Sequence, residues 1–199
     1  MTGETYTRGF FERDPDDVAR DLIGSMIVIR DGTDVVKARI VETEAYGGED
    51  DPASHAHRGP TPRSAVMFGP AGHLYVYRSY GVHWCMNVVT GNEGTASAVL
   101  LRAAEIPSRA EQGDAQATST MLRGPGNLTR GLGVTGADDG EDCCGEPSGR
   151  FSFQAGPVEV GSDQIGCSPR IGVSRGQLRP SRYFLKGHPA LSGHRRQER

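Results

Sequence analysis

The stretch LYVYRSYGVHWCMNVV, Leu74 to Val89, decides the fold. Its aromatic and β-branched residues predict two strands around a tight tip at Ser79-Tyr80-Gly81, an antiparallel hairpin. Tyr75 and Tyr77 share one face of the first strand. Tyr80 falls at the tip, where turns favour Gly, Asn, Asp and Pro and a bulky ring gains little for folding. Before the hairpin, Gly69-Pro70-Ala71-Gly72 is a turn. After it, Ala96 to Ala103 is a further apolar strand with Leu100 and Arg102 on one face.

Upstream, Val35 to Tyr46 alternates and ends in VETEAY. The pleat puts Ile40, Glu42, Glu44 and Tyr46 on one face, and Val41, Thr43 and Ala45 on the other. Ser25 to Arg30 is a shorter strand, joined to it through an Asp31-Gly32 turn. The segment Phe10 to Gly24 has helical spacing, with Asp14 as N-cap, Pro15 in the first turn and Gly24 as the stop. Gly47 to Arg63 is a loop rich in Gly, Pro, His and Asp. Downstream, Arg109 to Leu122 reads as a helix, and Gly124-Pro125-Gly126-Asn127-Leu128 as a turn into another short one. Val134 to Arg150 reads as an acidic surface loop, Val158 to Val160 and Ser181 to Leu185 as strands, and the tail from Gly193 as flexible.

At 199 residues the chain is the size of one domain. Its 28 Gly and 12 Pro argue for a loop-rich mixed or mostly β architecture and against a helical bundle. The expected fold is α+β: a single compact domain over 1–199, with a mainly antiparallel curved sheet, flanking helices and a protruding β-hairpin. No apolar run approaches the roughly 20 residues of a membrane span, and the N-terminus lacks a signal-peptide core, so a soluble, cytoplasmic protein is expected. Cys85, Cys143, Cys144 and Cys167 have neither disulfide-framework nor zinc spacing and read as reduced thiols. His55 and His57, without a clear third partner, are weak evidence for a metal, and none is expected.

The formal net charge of −3 hides segregation. Arg170 to Arg199 carries eight basic residues against Glu198, while Val134 to Asp163 carries seven acids against Arg150. Such a distribution can present a basic face able to hold a phosphate backbone. Glu44, at a strand end before a long loop, is where a general base would stand on a rigid scaffold. The alternative is a half-exposed strand whose glutamates face water. Tyr80 reads either as a wedge between stacked bases or as a ring packed back on its own domain.

ETEAY at Glu42–Tyr46, TPR at Thr61–Arg63, MFGPAGHLYVY at Met67–Tyr77, YGVHWCMN at Tyr80–Asn87 and LLRA at Leu100–Ala103 together closely resemble the alkyladenine (3-methyladenine) DNA glycosylase family. The resemblance extends to FFERDPDDVARDLIG near the start, RGPGNL at Arg123–Leu128, and RIGVSRG and RYFLKGHPALS near the end. It implies a hairpin that enters the DNA minor groove, and excision of alkylated purines, chiefly 3-methyladenine, with no cofactor. By position, Tyr80 corresponds to the residue that intercalates in place of the flipped nucleotide, and Glu44 to the general base. Arg102 and the Ile171 backbone carbonyl correspond to groups that hold the attacking water. Tyr46, His55 (rather than His57) and Tyr77 correspond to the side chains gripping the extruded base. Asn87 corresponds to the group crowding the exocyclic amine of guanine, and Leu100 to a pocket-lining residue. The implied partner is double-stranded DNA, bound by a monomer associated with the nucleoid.

The chemistry fits those roles. A glycosylase must extrude its nucleotide, and rings attract the cationic base left by N3 or N7 alkylation by on the order of 0.5–2 kcal/mol. A strand-cutting lyase attacks with an amine, but beside twenty arginines the chain has only Lys37, before VETEAY, and Lys186, outside every pocket motif. Water is therefore the expected nucleophile. Two rivals are a protein that flips damaged bases without cutting, and a carbohydrate hydrolase pairing Glu42 with Glu44, whose backbone positions lie about 6.6–6.8 Å apart.

Overall fold

The proline at position 15 divides the first helical stretch. The residue before a proline is pushed out of the helical region, and Asp14 sits at ψ 136°, accepting the Asp16 N–H at 2.8 Å. The expected single segment is therefore two pieces in the computed structural model, which describes residues 3–107, 122–145 and 149–193: α1 (Arg8–Phe11) and α2 (Pro15–Asp21). Gly24 then turns the chain at φ +90°, with Val160 so close that a β-carbon would lie 2.4 Å from its Cγ2.

Among the described residues, eight strands form one antiparallel sheet: β1 (Met26–Asp31), β2 (Asp34–Tyr46), β3 (Leu74–Ser79), β4 (His83–Thr90), β5 (Ser97–Glu105), β6 (Phe151–Gln154), β7 (Ile165–Ser168) and β8 (Arg182–Leu185). The main order is β3-β4-β5-β2-β1-β6, with β8 against the second half of β2 and β7 outside β8. Strand β2 makes the sheet curl into a half-barrel. Its first half pairs with β1, and its last residues run between β5 and β8. The change of partner coincides with register shifts around Val41 and Glu42, the local kink that an extra residue puts into a ladder.

That irregularity corrects the expected alternation of β2. Ala38, Ile40 and Ala45 lie in the main core, whereas Val41 joins Ala103 and Ala190 in a separate cluster. Ile40 thus does not share the face of Glu42. Thr43 also turns coreward, donating to the Ala19 carbonyl of α2 at 2.8 Å. The main core is filled by Phe11, Leu22, Ile27, Leu74, Met86, Leu101 and Phe153, all fully buried.

Three other expectations change. Val158–Val160 forms no strand, being a short run between Gly-Pro and Gly, and Val158 is exposed. The missed strands are β6 and β7; Phe151 and Phe153 of β6 pair with Ile29 and Ile27 and enter the core. The acidic segment from Val134 is more than a surface loop. The Val76 N–H donates to Asp139 at 2.8 Å and the Leu74 N–H to the Glu141 carbonyl at 2.8 Å, so the segment covers the open edge of β3. Cys143 is buried behind it, and Asp142 pairs with Arg8 at 2.7 Å. The short helix after Gly124 is α3 (Pro125–Gly131). The helix expected over Arg109–Leu122 and the tail beyond Gly193 lie outside the described residues, Leu122 and Gly193 excepted.

Candidate active site

The last residues of β2 carry two buried carboxylates. Glu42 and Glu44 are both fully buried, so the water-facing reading of this strand is wrong. Burying a carboxylate is costly unless it is paired and hydrogen-bonded, and neighbouring strands supply the partners. Arg102 on β5 donates from Nη1 to Glu44 Oε2 at 3.0 Å and from Nε to Glu42 Oε1 at 3.3 Å. Arg182 on β8 donates to Glu42 Oε1 at 2.7 Å. Glu44 also accepts the Tyr46 hydroxyl on Oε2 at 2.8 Å and the Ile171 N–H on Oε1 at 2.7 Å. Burial alone would lower the pKa of Arg102, but Glu44 and Glu42 outweigh it and hold the guanidinium above its ordinary value.

Tyr46, Arg102 and Ile171 are also part of the wall of a cleft of about 670 Å³. Glu44 stands directly behind that wall, in contact with the cleft through those three residues. The aromatic side comes from β3 and the loop after β2. His55 packs edge-on to Tyr77 with ring centroids 4.5 Å apart, and its Nδ1 bonds the Tyr75 hydroxyl at 2.9 Å. Burial raises the Tyr75 phenol to about 12, so it stays protonated and can donate to that nitrogen. Burial, then the charge of Arg63, lowers the pKa of His55 and favours its neutral ring. Asn87 and Leu100, opposite one another on β4 and β5, complete the floor, and the Asn87 amide is tied to the Tyr75 carbonyl at 2.8 Å. His57 is turned toward the Glu49 carbonyl at 2.5 Å, and His55, not His57, lines the cleft.

At the mouth stands the hairpin tip. Tyr80 is 95% exposed, which excludes its packing back on the domain, and Val82 beside it is exposed as well. The turn is closed by the Val82 N–H donating to Ser79 at 3.0 Å, with Tyr80 at φ +49° and Gly81 at φ +67°. Two positive φ values are normally met by Asn-Gly or Gly-Gly. A tyrosine there costs on the order of 1–2 kcal/mol and gains no packing in return. Tyr80 and Gly81 both border the cleft.

The structure thus brings Glu44, Tyr46, His55, Tyr77, Tyr80, Asn87, Leu100, Arg102 and Ile171 into or against one cavity. Ile171 engages Glu44 through its N–H. Glu42 cannot pair with Glu44 as a carbohydrate-cleaving acid, since Arg102, Arg182 and Ser192 enclose it away from the cleft. Neither lysine reaches the cavity: Lys186 donates to the Asp163 carbonyl at 2.7 Å and Lys37 lies on the first half of β2.

Among the described residues, two members of the basic C-terminal run, Arg170 and Arg182, are internal, whereas Arg175 and Lys186 are exposed. Arg170 is buried against Asp51, with its guanidinium 4.6 Å from the Tyr46 ring centroid. Arg182 is buried against Glu42, and Arg179 pairs with Asp16 at 2.8 Å. The exposed cations at the cleft are instead Arg63, over the Tyr77 ring at 4.8 Å, and Arg78. Arg170, Asp51 and Ser192 had no local signal in the sequence, because a paired arginine and a solvated one look alike in composition. Among the described residues, no three His, Cys, Asp or Glu side chains cluster as a metal site, and no helix is long and apolar enough to cross a membrane.

A protein of Streptomyces avermitilis is 44% identical over 195 residues, covering 95% of this chain and 91% of its own length. Proteins of Mycobacterium sp. strain KMS and Rhodococcus jostii are each 45% identical over 199 residues, covering 94% of this chain and 92% and 84% of their own. All three carry the name "Putative 3-methyladenine DNA glycosylase". The family model described as methylpurine-DNA glycosylase matches residues 9–189. By that match over most of its length, and by 44–45% identity to these relatives, the chain belongs to the methylpurine-DNA glycosylase family.

Proposed function

We propose that this enzyme excises methylated purines, chiefly 3-methyladenine, as a monomer on the minor groove, by flipping the nucleotide and hydrolysing its glycosidic bond. The observation that carries the reading is Glu44, held by Arg102, Tyr46 and Ile171 behind an aromatic cleft that opens beside an exposed, strained Tyr80. Tyr80 enters the base stack and occupies the vacated space, offsetting part of the few kcal/mol that extrusion costs. Arg63 and Arg78 face phosphates at the mouth.

The extruded base lies against Tyr46, His55 and Tyr77. A cationic alkylpurine gains from those rings, and Asn87 crowds a guanine amino group. Water held against Arg102 and the Ile171 main chain attacks C1′ and passes a proton to Glu44. The glycosidic bond breaks with its electron pair going to the purine, so a cationic base leaves neutral. The site supplies chiefly water activation and a negative charge beside the cationic sugar.

The decisive assay is incubation with methylated duplex DNA. Free methylpurine and intact strands bearing abasic sites are expected, with no protein adduct after borohydride reduction. Borohydride trapping would overturn the hydrolytic route, and absence of base release would overturn the activity. Tyr80→Ala should weaken binding to a duplex carrying a tetrahydrofuran abasic analogue by about tenfold, since one aromatic stack contributes on the order of 1–3 kcal/mol. A gel-shift titration measures it, and unchanged affinity would remove Tyr80 from the DNA contact.

A further inference from the structure

Glu42 is a fully buried carboxylate that this reaction leaves without a task. Its Oε1 accepts from Arg182 Nε at 2.7 Å, from the Ser192 hydroxyl at 2.7 Å and from Arg102 Nε at 3.3 Å. Its Oε2 accepts the Ser192 N–H at 2.7 Å. Ser192 in turn accepts Arg102 Nε and Nη2 on its hydroxyl oxygen, at 3.2 and 3.1 Å. One edge of the Arg102 guanidinium is thereby taken up by Glu42 and Ser192, and only Nη1 reaches Glu44.

This division is unusual for the chemistry of the groups. An arginine beside a carboxylate tends to close on it as a bidentate fork, two parallel N–H···O bonds. Arg182 alone already supplies Glu42 with a buried cation, so charge balance does not require Arg102 to be shared.

We infer that Glu42 is a positioning residue: with Ser192 it holds Arg102 to a single hydrogen bond with Glu44, leaving Glu44 Oε1 free of the guanidinium and able to take the proton of the attacking water. The inference rests on Glu44 being the base. Without Glu42, the guanidinium turns onto both oxygens of Glu44 and closes the proton-accepting position.

The test is single-turnover excision from methylated duplex DNA, with binding to the tetrahydrofuran duplex measured in parallel. Glu42→Gln should slow excision by about 10²-fold, the scale of a misplaced catalytic group, while binding changes by less than about twofold. In an Arg102→Gln background, the same substitution should change the residual rate by less than about twofold, because its effect passes through Arg102. Ser192→Ala, which removes the hydroxyl between Glu42 and Arg102 without removing a charge, should slow excision and spare binding in the same way. It carries the test should Glu42→Gln fail to fold. Unaltered excision in the folded variants, or equal losses with and without Arg102, would overturn the inference. Glu44→Gln is assayed alongside: a wild-type rate there sinks the base itself, whereas an inactive Glu44→Gln beside a fully active Glu42→Gln sinks only the positioning role.

Discussion

Glu44→Gln should remain folded and bind damaged DNA while losing excision by roughly 10²–10⁴-fold, the usual contribution of a positioned acid–base group. Glutamine keeps the length of the side chain and an amide oxygen that can accept from the Ile171 N–H and Arg102. It cannot take a proton from water. Arg102 retains Glu42 as a counter-charge at 3.3 Å, so the substitution does not strand a buried cation. Release of labelled methylpurine in a single turnover, together with gel shifts on the tetrahydrofuran duplex, measures the two properties separately. A variant that binds and still cleaves at the native rate would show that the proton goes elsewhere.

Arg170→Met should destabilise the fold by about 3–5 kcal/mol, the cost of leaving one member of a buried ion pair uncompensated. Arg170 has no exposed side-chain surface, and its two terminal nitrogens bond Asp51 at 2.5 and 2.9 Å, with one also reaching the Ala45 carbonyl at 3.0 Å. Asp51 also accepts the Gly47 and Ala53 N–H groups, so it organises the loop between Tyr46 and His55. Its burial opposes ionisation, but the Arg170 bond and those N–H groups outweigh this and hold its carboxyl below the ordinary 3.8. A carboxylate depressed in the folded state stabilises above its unfolded pKa, and the benefit is lost as pH falls through the folded value. The Arg170→Met deficit should accordingly be full at neutral pH and shrink in strong acid. Adding Asp51→Leu should recover part of the stability, since replacing both partners with apolar groups is often neutral. Urea midpoints for the two singles and the double measure this. Simple additivity of the losses would mean that the pair is not coupled.

The two predictions differ in how far the sequence could reach them. Glu44 was legible, because VETEAY ends a strand before a long loop and its neighbours match a family motif. Asp51 was only one acid in a polar loop, and Arg170 one cation in a basic run. Their side chains meet across 119 positions of chain, and Arg182 meets Glu42 across 140. Composition could therefore count Arg170 and Arg182 toward a basic face where the fold uses them in internal ion pairs.

What the sequence determined by itself was local. Asp14-Pro15 starts α2, the residues from Leu74 to Val89 fold back at Tyr80, and the ordered motifs identify the family. These follow from backbone sterics and side-chain periodicity over a few residues. The tertiary structure alone decided that β2 changes partners at an irregular step, so Ile40 turns to the core while Glu42 and Glu44 meet Arg102. It also decided that the acidic stretch after Val134 covers the edge of β3. The physical reason is common to both. An unpaired strand edge and a buried charge each demand a partner, and only the closed sheet determines which distant group arrives to meet it.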